Sequence, residues 1–164
     1  MLMSIPFSEV YIAKQSADEI IVIEPPYVLL GITLAVVGAT ILFFFVRATL
    51  NAQPGERYWI FPVIFSTPFL IPGLWLSTTK TTIELSKPQQ VLHLQKTIFF
   101  IPFRSQNFPF SQVRDVNMGY SQQGRFLYLE LDSGERVRMT GSTDRRGYGE
   151  AMDAINMFLA KSRS

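Results

Sequence analysis

Few side chains in this sequence have the type and spacing that chemistry requires. The single histidine, His93, sits in Val91-Leu92-His93-Leu94-Gln95, where two-residue alternation groups it with Val91 and Gln95 on one side of a strand. That is the setting of a structural or solvent-facing imidazole, not of the base that a hydrolytic nucleophile needs. With no cysteine in the chain, a disulfide framework, a thiolate zinc site and a thiol nucleophile are excluded, and one histidine cannot build a multi-histidine metal site. Asp132 and Glu135 flank Ser133-Gly134, a tight turn in which both carboxylates are solvated, so they read as turn chemistry rather than an acid/base pair. Residues 141–149 are glycine-rich but lack the lysine and spacing of a phosphate loop, and are at most a weak anion-binding signal. No catalytic residue, metal ligand or cofactor follows from these residues, and the chain reads as a non-enzyme.

The arginines are the better candidates. Arg136 and Arg138 lie two apart in a strand, on the side away from Val137 and Met139, and Arg145 and Arg146 follow in the next loop. Guanidinium forks suit carboxylate and phosphate, so these four are the candidate contacts to a protein partner or to anionic lipid, worth roughly 1 kcal/mol per charge at a membrane surface. An ordinary solvated face, partly neutralised by Glu130, Asp132 and Glu135, is the plainer alternative. A formal net charge of +2 is too small to argue for nucleic acid.

These arginines must be held by elements of two kinds. Of all residues 48% are hydrophobic and 17% charged, against a usual charged share of about 25%, and two long stretches carry no charge at all. Tyr27 to Val46 is twenty uncharged residues, thirteen of them Val, Leu, Ile or Phe, about 30 Å of helix and enough to cross a hydrocarbon core. Pro25 and Pro26 suit its start, and Arg47 can snorkel at its end. A second uncharged stretch, Tyr58 to Thr79, carries Trp59 and Trp75 near its ends, at the depth that indole rings favour. A span over 59–76 is expected there, kinked where Pro62, Pro68 and Pro72 each remove a backbone donor, with a re-entrant loop as the competing reading. The connector Arg47 to Arg57, with its Pro54-Gly55 turn, is short enough to force an antiparallel hairpin. Gly31, Ala35 and Ala39 recur every four residues with Gly38 alongside, a small-residue face on which the second helix can pack closely.

The remaining chain reads as α+β. Residues 1–26 form an N-terminal segment without the basic region or cleavage pattern of a signal peptide. Within it, Ile20 to Ile23 is an apolar run bounded by acids, expected as a strand buried on both faces and added to the C-terminal domain. The alternative places Leu2, Ile5, Phe7, Val10 and Ile12 in a headgroup boundary. Residues 27–79 are the hairpin, with spans 27–46 and 59–76. Residues 80–164 hold twelve of the fifteen basic residues and eight of the thirteen acids, a soluble domain of short strands: Thr81 to Ser86, Val91 to Lys96, Ile98 to Phe103, Val113 to Met118, Leu127 to Leu131, and one through Val137 and Met139. From Gly149 to Lys161 the period changes to three and four, with Ala151, Met152, Ile155, Phe158 and Leu159 on one stripe of a closing helix. Both termini fall on one side. The basic C-terminal domain points to the cytoplasm, although Lys14, Lys80 and Lys87 nearly balance Arg47 and Arg57 at the span ends.

In this order of parts the chain resembles small bacterial membrane proteins in which a two-helix transmembrane hairpin precedes a PH-like domain. The residues that carry the resemblance are Asp18 to Pro26 before the first span, Thr81 to Leu94, Phe110-Ser111-Gln112-Val113-Arg114-Asp115-Val116, Leu127 to Leu131 with Ser133-Gly134, and the closing helix. It is more distantly similar to the photosystem I assembly factor, and has Ile98 to Arg104 where that factor is rich in arginine and glycine. The resemblance implies a PH-like β-roll with a C-terminal α-helix, and a scaffolding or assembly role in an inner, plasma or thylakoid-type membrane. The bilayer and a membrane-protein partner are the expected contacts. The alternative is a regulatory protein that binds anionic lipid or a small ligand through its basic face or its kinked second span.

Overall fold

The computed structural model describes residues 9–51, 60–141 and 145–163. Trp59, the Pro54-Gly55 turn and Leu2, Ile5 and Phe7 of the expected interfacial segment lie outside the described residues, as do residues 142–144 of the glycine-rich stretch. The described chain is α+β and divides into two compact units, one drawn from the chain up to Pro25 and from Lys80 onward, the other being Pro26–Thr79.

The first unit begins with β1 (Tyr11–Gln15) and β2 (Glu19–Glu24), and resumes with β3 (Lys80–Ser86), β4 (Val91–Ile98) and β5 (Ile101–Pro109). These make one antiparallel sheet in the order β1-β2-β3-β4-β5. Alternation decides which side chains turn inward: Ile20 and Val22, Ile83 and Leu85, and Leu92 and Leu94 are all buried. Ile21 and Ile23 stay half-buried, so β2 has one fully buried face where two were expected. The buried face ends on a charge, Glu24. Val10, an alternative membrane contact by sequence, is instead buried in the core, its N–H donating to the Arg146 carbonyl at 3.1 Å.

A second, three-stranded antiparallel sheet holds β6 (Val113–Ser121), β7 (Gly124–Leu131) and β8 (Arg136–Arg138). Its inner residues Val113, Val116, Leu127 and Leu129 join the same core, which α3 (Tyr148–Arg163) completes with Tyr148, Ala151, Ile155, Phe158 and Leu159. Fully burying one such side chain is worth about 1.5–3 kcal/mol, and a helix of this length depends on that packing. Asn156 locks α3 to β6: its amide accepts from the Val116 N–H at 2.9 Å and donates to the Val116 carbonyl at 2.8 Å. At the far end of α3 the Arg163 guanidinium donates to the carbonyls of Val113 and Arg114, where the register slips and Arg114 is the extra residue.

A second sequence expectation is overturned in this unit. Ile98 to Phe103 reads as a strand from its apolar composition, yet the chain reverses inside it: Ile98 pairs with Ile101, and Phe99 and Phe100 form a two-residue turn with φ of 51° and 65°. The strand that follows runs on through Asn107 to Pro109, leaving only a 3-10 turn, Phe110–Gln112, before β6.

The second unit is a pair of helices, α1 (Val28–Asn51) and α2 (Ile60–Thr78), about 36 and 28 Å long at the α-helical rise. Both are long and apolar enough to cross a membrane. Leu29, Val36, Phe43 and Phe44 on α1, and Val63, Ile64 and Ile71 on α2, are more than half exposed, so the two helices do not bury one another as the core of a water-soluble pair would. Their hydroxyls turn inward on the backbone: Thr33 donates to the Leu29 carbonyl, Thr40 to Val36 and Thr78 to Leu74, at 2.7–2.8 Å. That satisfies each donor without water. Pro68 and Pro72 lie inside α2, which runs through both as one helix, and Pro62 lies in its first turn.

Small residues set how closely the helices approach. A methyl group on Gly31 would lie 2.6 Å from the Gly73 carbonyl oxygen, and one on Gly73 would lie 2.7 Å from the Ala35 nitrogen. Gly38 faces Leu70 in the same way. Ala39, expected on this face by four-residue spacing, is exposed. The contact line follows seven residues instead, Gly31 to Gly38 on α1 and Ser66 to Gly73 on α2, because two packed helices meet along a 3.5-residue repeat.

Candidate functional site

The four arginines do not form one surface. Arg136 and Arg138 project from β8 on the outer side of the three-stranded sheet, both exposed. Tyr128 is paired in register with Arg138, and Glu130 with Arg136. The Arg136 guanidinium lies 5.2 Å from the centroid of the Tyr128 ring and that of Arg138 lies 4.5 Å from Phe126. The Arg138 Nε also donates to the Thr140 carbonyl at 3.1 Å. Each cation–ring contact is worth about 0.5–1 kcal/mol at an exposed site and restricts a side chain that is otherwise flexible. Phe126 can lie flat because Gly119 is opposite it: a Cβ there would meet the ring at 2.4 Å. Glu130, the acid that sequence placed as a neutraliser, is turned to Arg114 at 3.8 Å and receives the Asn117 amide at 3.3 Å. Tyr120, also exposed, alternates with Gly119 and so lies on the opposite side of the sheet, in line with Met118 and Val116.

Arg145 is 7% exposed and donates to the Pro25 carbonyl, which ties the loop before α3 to the end of β2. Arg146 is exposed. In sequence all four arginines look alike, because nothing local to Arg145 records a carbonyl 120 residues away.

A polar row crosses the inner face of the five-stranded sheet at one end. In register it reads Glu24, Thr81, Lys96, Arg104, continuing the columns whose other members are the buried core residues. The Glu24 carboxylate accepts from the Gly141 N–H at 3.1 and 3.2 Å and from the Tyr148 hydroxyl at 3.0 Å. This takes up a backbone donor of the glycine-rich stretch that an anion would need. Burial holds Lys96 below the usual lysine range; Glu24 pulls it up, and the positive charges of Arg104 and Arg138 press it down. Lys96 thus feels both the positive charge of Arg104, its partner in register, and that of Arg138.

Beyond the row is the β4–β5 tip. Phe100 is 99% exposed and Ile101 and Phe103 are each 68% exposed. The register slips between Lys96 and Thr97, leaving Phe103 as the extra residue of a bulge that turns it outward. Sequence alone does not reveal this tip, because its apolar run has the composition of a strand. The available signal was an uninterrupted Ile-Phe-Phe-Ile-Pro-Phe run with no polar partner in the alternation.

The small set of residues suited to chemistry stays scattered. His93 Nδ1 is 2.5 Å from the Asn107 side-chain oxygen on the outer face of the five-stranded sheet, and the Asp132 N–H donates to Gln112 in the turn network. Among the described residues no group of three or more His, Cys, Asp or Glu is arranged to hold a metal. A groove of about 540 Å³ runs between Gln90, Phe110, Asp132 and Arg163, wide open and walled mainly by turns. Neither known protein-family models nor curated proteins give a match to this chain.

Proposed function

We propose that the protein is a non-catalytic, membrane-anchored interaction module, with α1 and α2 as its spans and the strand-rich unit as a PH-like roll on the cytoplasmic side. The PH-like reading is supported by the arrangement of β2 to β5 and β6 to β8 as four and three antiparallel strands, followed by one helix that seals the core. On this reading β1 is an addition and the hairpin is an insertion between the first two strands of the roll. The role is scaffolding or assembly of a membrane complex, as the likeness to the photosystem I assembly factor implies.

The observation that carries the interaction role is the outer face of β7 and β8, where Arg136 and Arg138 are laid across Tyr128 and Phe126 and left exposed. Arginine and aromatic residues are the side chains that dominate protein–protein contacts. Holding the cations against rings lowers the entropy lost when a partner docks. The partner surface is acidic by complementarity.

Co-purification after mild detergent extraction tests this. A partner retained by the wild-type protein should be lost from the Arg136→Glu, Arg138→Glu double variant while its circular dichroism is unchanged. Equal retention by both would remove these arginines from the interface and leave them as solubility charges.

A further inference from the structure

We propose that the tip of the β4–β5 hairpin, Phe99-Phe100-Ile101 with Phe103, is a membrane-inserting finger that dips into the interface of an anionic bilayer, with Lys80, Lys96 and Arg104 as its cationic collar. The proposal rests on the reading of α1 and α2 as spans and adds a second, shallower attachment to the same membrane.

Where the exposed apolar surface lies is the first reason. Among the described residues of the strand-rich unit, the large hydrophobic side chains left exposed are Tyr11, Tyr120 and Met157, each isolated, and the four of this tip. Scattered exposed hydrophobics are ordinary, whereas a contiguous group marks a contact. A two-residue turn normally exposes Asn-Gly or another polar pair, since both central residues need positive φ. Here phenylalanines occupy both positions at φ 51° and 65°, a conformation that bulky residues rarely adopt. The fold therefore bears backbone strain to keep two rings at the tip, where they contribute nothing to its core.

Position is the second reason. Thr97 is paired in register with Lys80, and its hydroxyl donates to the Lys80 carbonyl at 3.5 Å. Lys80 is the first residue of β3, and Glu24, opposite Thr81, is the last of β2. The tip thus projects past the edge of the sheet at which the chain leaves for α1 after Pro25 and returns from α2 at Thr79. Both covalent connections to the apolar helices, at Pro25 and Thr79, therefore leave from the same edge of the sheet as the tip.

Charge selects the occupant. Lys80, Lys96 and Arg104 stand on β3, β4 and β5 just behind the rings. Apolar tip and basic base match the two layers of an anionic leaflet, hydrocarbon beneath phosphate. A second copy of the chain would bring a like-charged collar against this one.

The absence of cysteine makes the test direct. Full-length Phe100→Cys, Gln122→Cys and Val36→Cys variants, each spin-labelled, are reconstituted in phosphatidylcholine vesicles with and without phosphatidylglycerol. Accessibility to oxygen and to a water-soluble nickel complex is then read. The label at Phe100 should be several-fold more accessible to oxygen than to nickel, the label at Gln122 on the β6–β7 turn the reverse, and excess unlabelled protein should change neither. Phosphatidylglycerol should increase the depth at Phe100, and Lys96→Gln with Arg104→Gln should cancel that increase.

Nickel access at Phe100 equal to that at Gln122 would overturn the finger, as would protection from both reagents, which signals a protein contact. Spin–spin broadening relieved by unlabelled protein would assign the tip to a second copy and overturn it too. Equal depth in the two lipid mixtures would overturn the collar. The Val36 label separates this from the parent reading: oxygen access there with a wet Phe100 defeats the finger alone, and nickel access at both defeats the spans.

Discussion

The Tyr148 hydroxyl donates to the Glu24 carboxylate at 3.0 Å, joining the last residue of β2 to the first residue of α3 across 124 positions of sequence. Both side chains are buried. The contact closes the roll at the edge from which the chain departs at Pro25, and Glu24 further holds the loop after β8 through the Gly141 N–H. A hydrogen bond to a charged group contributes about 1.5–3 kcal/mol, and a buried acceptor left short of partners adds a desolvation cost. Tyr148→Phe should therefore destabilise the strand-rich unit by about 2 kcal/mol, seen as a lower denaturant midpoint with unchanged slope in detergent solution. An unchanged midpoint would mean that the bond is not made.

The close approach of α1 and α2 leads to a steric prediction. A Cβ on Gly73 would sit 2.7 Å from the Ala35 backbone nitrogen, and backbone cannot move aside as a side chain can. Gly73→Leu should push the helices apart at a cost of about 1–3 kcal/mol or more. The midpoint of unfolding in dodecyl sulfate should fall accordingly in the Gly73→Leu variant. Ala39→Leu, on an exposed position, is the control and should leave the midpoint unchanged.

Strain at the β4–β5 turn should be measurable as stability gained when it is removed. Replacing Phe99-Phe100 by Asn-Gly supplies the pair that tolerates positive φ at both sites, and relief of the left-handed penalty is worth about 1–2 kcal/mol per residue. The double variant should unfold at a higher denaturant concentration than the wild type. A drop in stability would show that the two rings have a packing role that their exposure conceals.

Lys96 carries a pH signature. Its pKa is lowered from 10.5, first by burial and then by Arg104 and Arg138, against the opposing pull of Glu24. The unfolded chain therefore binds more protons than the folded one between the lowered value and 10.5, and stability attributable to this residue rises with pH across that window. Below it the charged form is penalised. Lys96→Met should be at least as stable as the wild type at neutral pH, and the difference should shrink towards pH 10.5. Lys14 behaves oppositely: its bond to Glu19 raises its pKa, so the stability it supplies is complete below 10.5 and is lost as pH rises through the raised value. Denaturant midpoints of Lys96→Met and Lys14→Met across the alkaline range check both signs.

What the sequence determined by itself is whatever depends on near neighbours. Twenty and twenty-two uncharged residues in a row specify two apolar helices, since such stretches have no polar face to give to water. Alternation over Thr81 to Leu94 and Leu127 to Leu131 specifies strands and which of their sides is buried, and the stripe from Ala151 to Leu159 specifies the inner side of α3. Even the six residues of β2, cut off from their sheet by the whole hairpin, announce themselves through Ile20 to Ile23. Tertiary structure decided the rest. An apolar run at Ile98 to Phe103 has the composition of a strand, and only the pairing of Lys96 with Arg104 and Ile98 with Ile101 makes it a turn. Arg145 and Arg136 are the same residue type in the same basic segment, yet one is buried against the Pro25 carbonyl and the other exposed over Tyr128. Side-chain period is a property of a few consecutive residues, whereas turns, burial and charge contacts are set by the pairings that folding makes, from Ile98 with Ile101 to Arg145 with the Pro25 carbonyl 120 residues away.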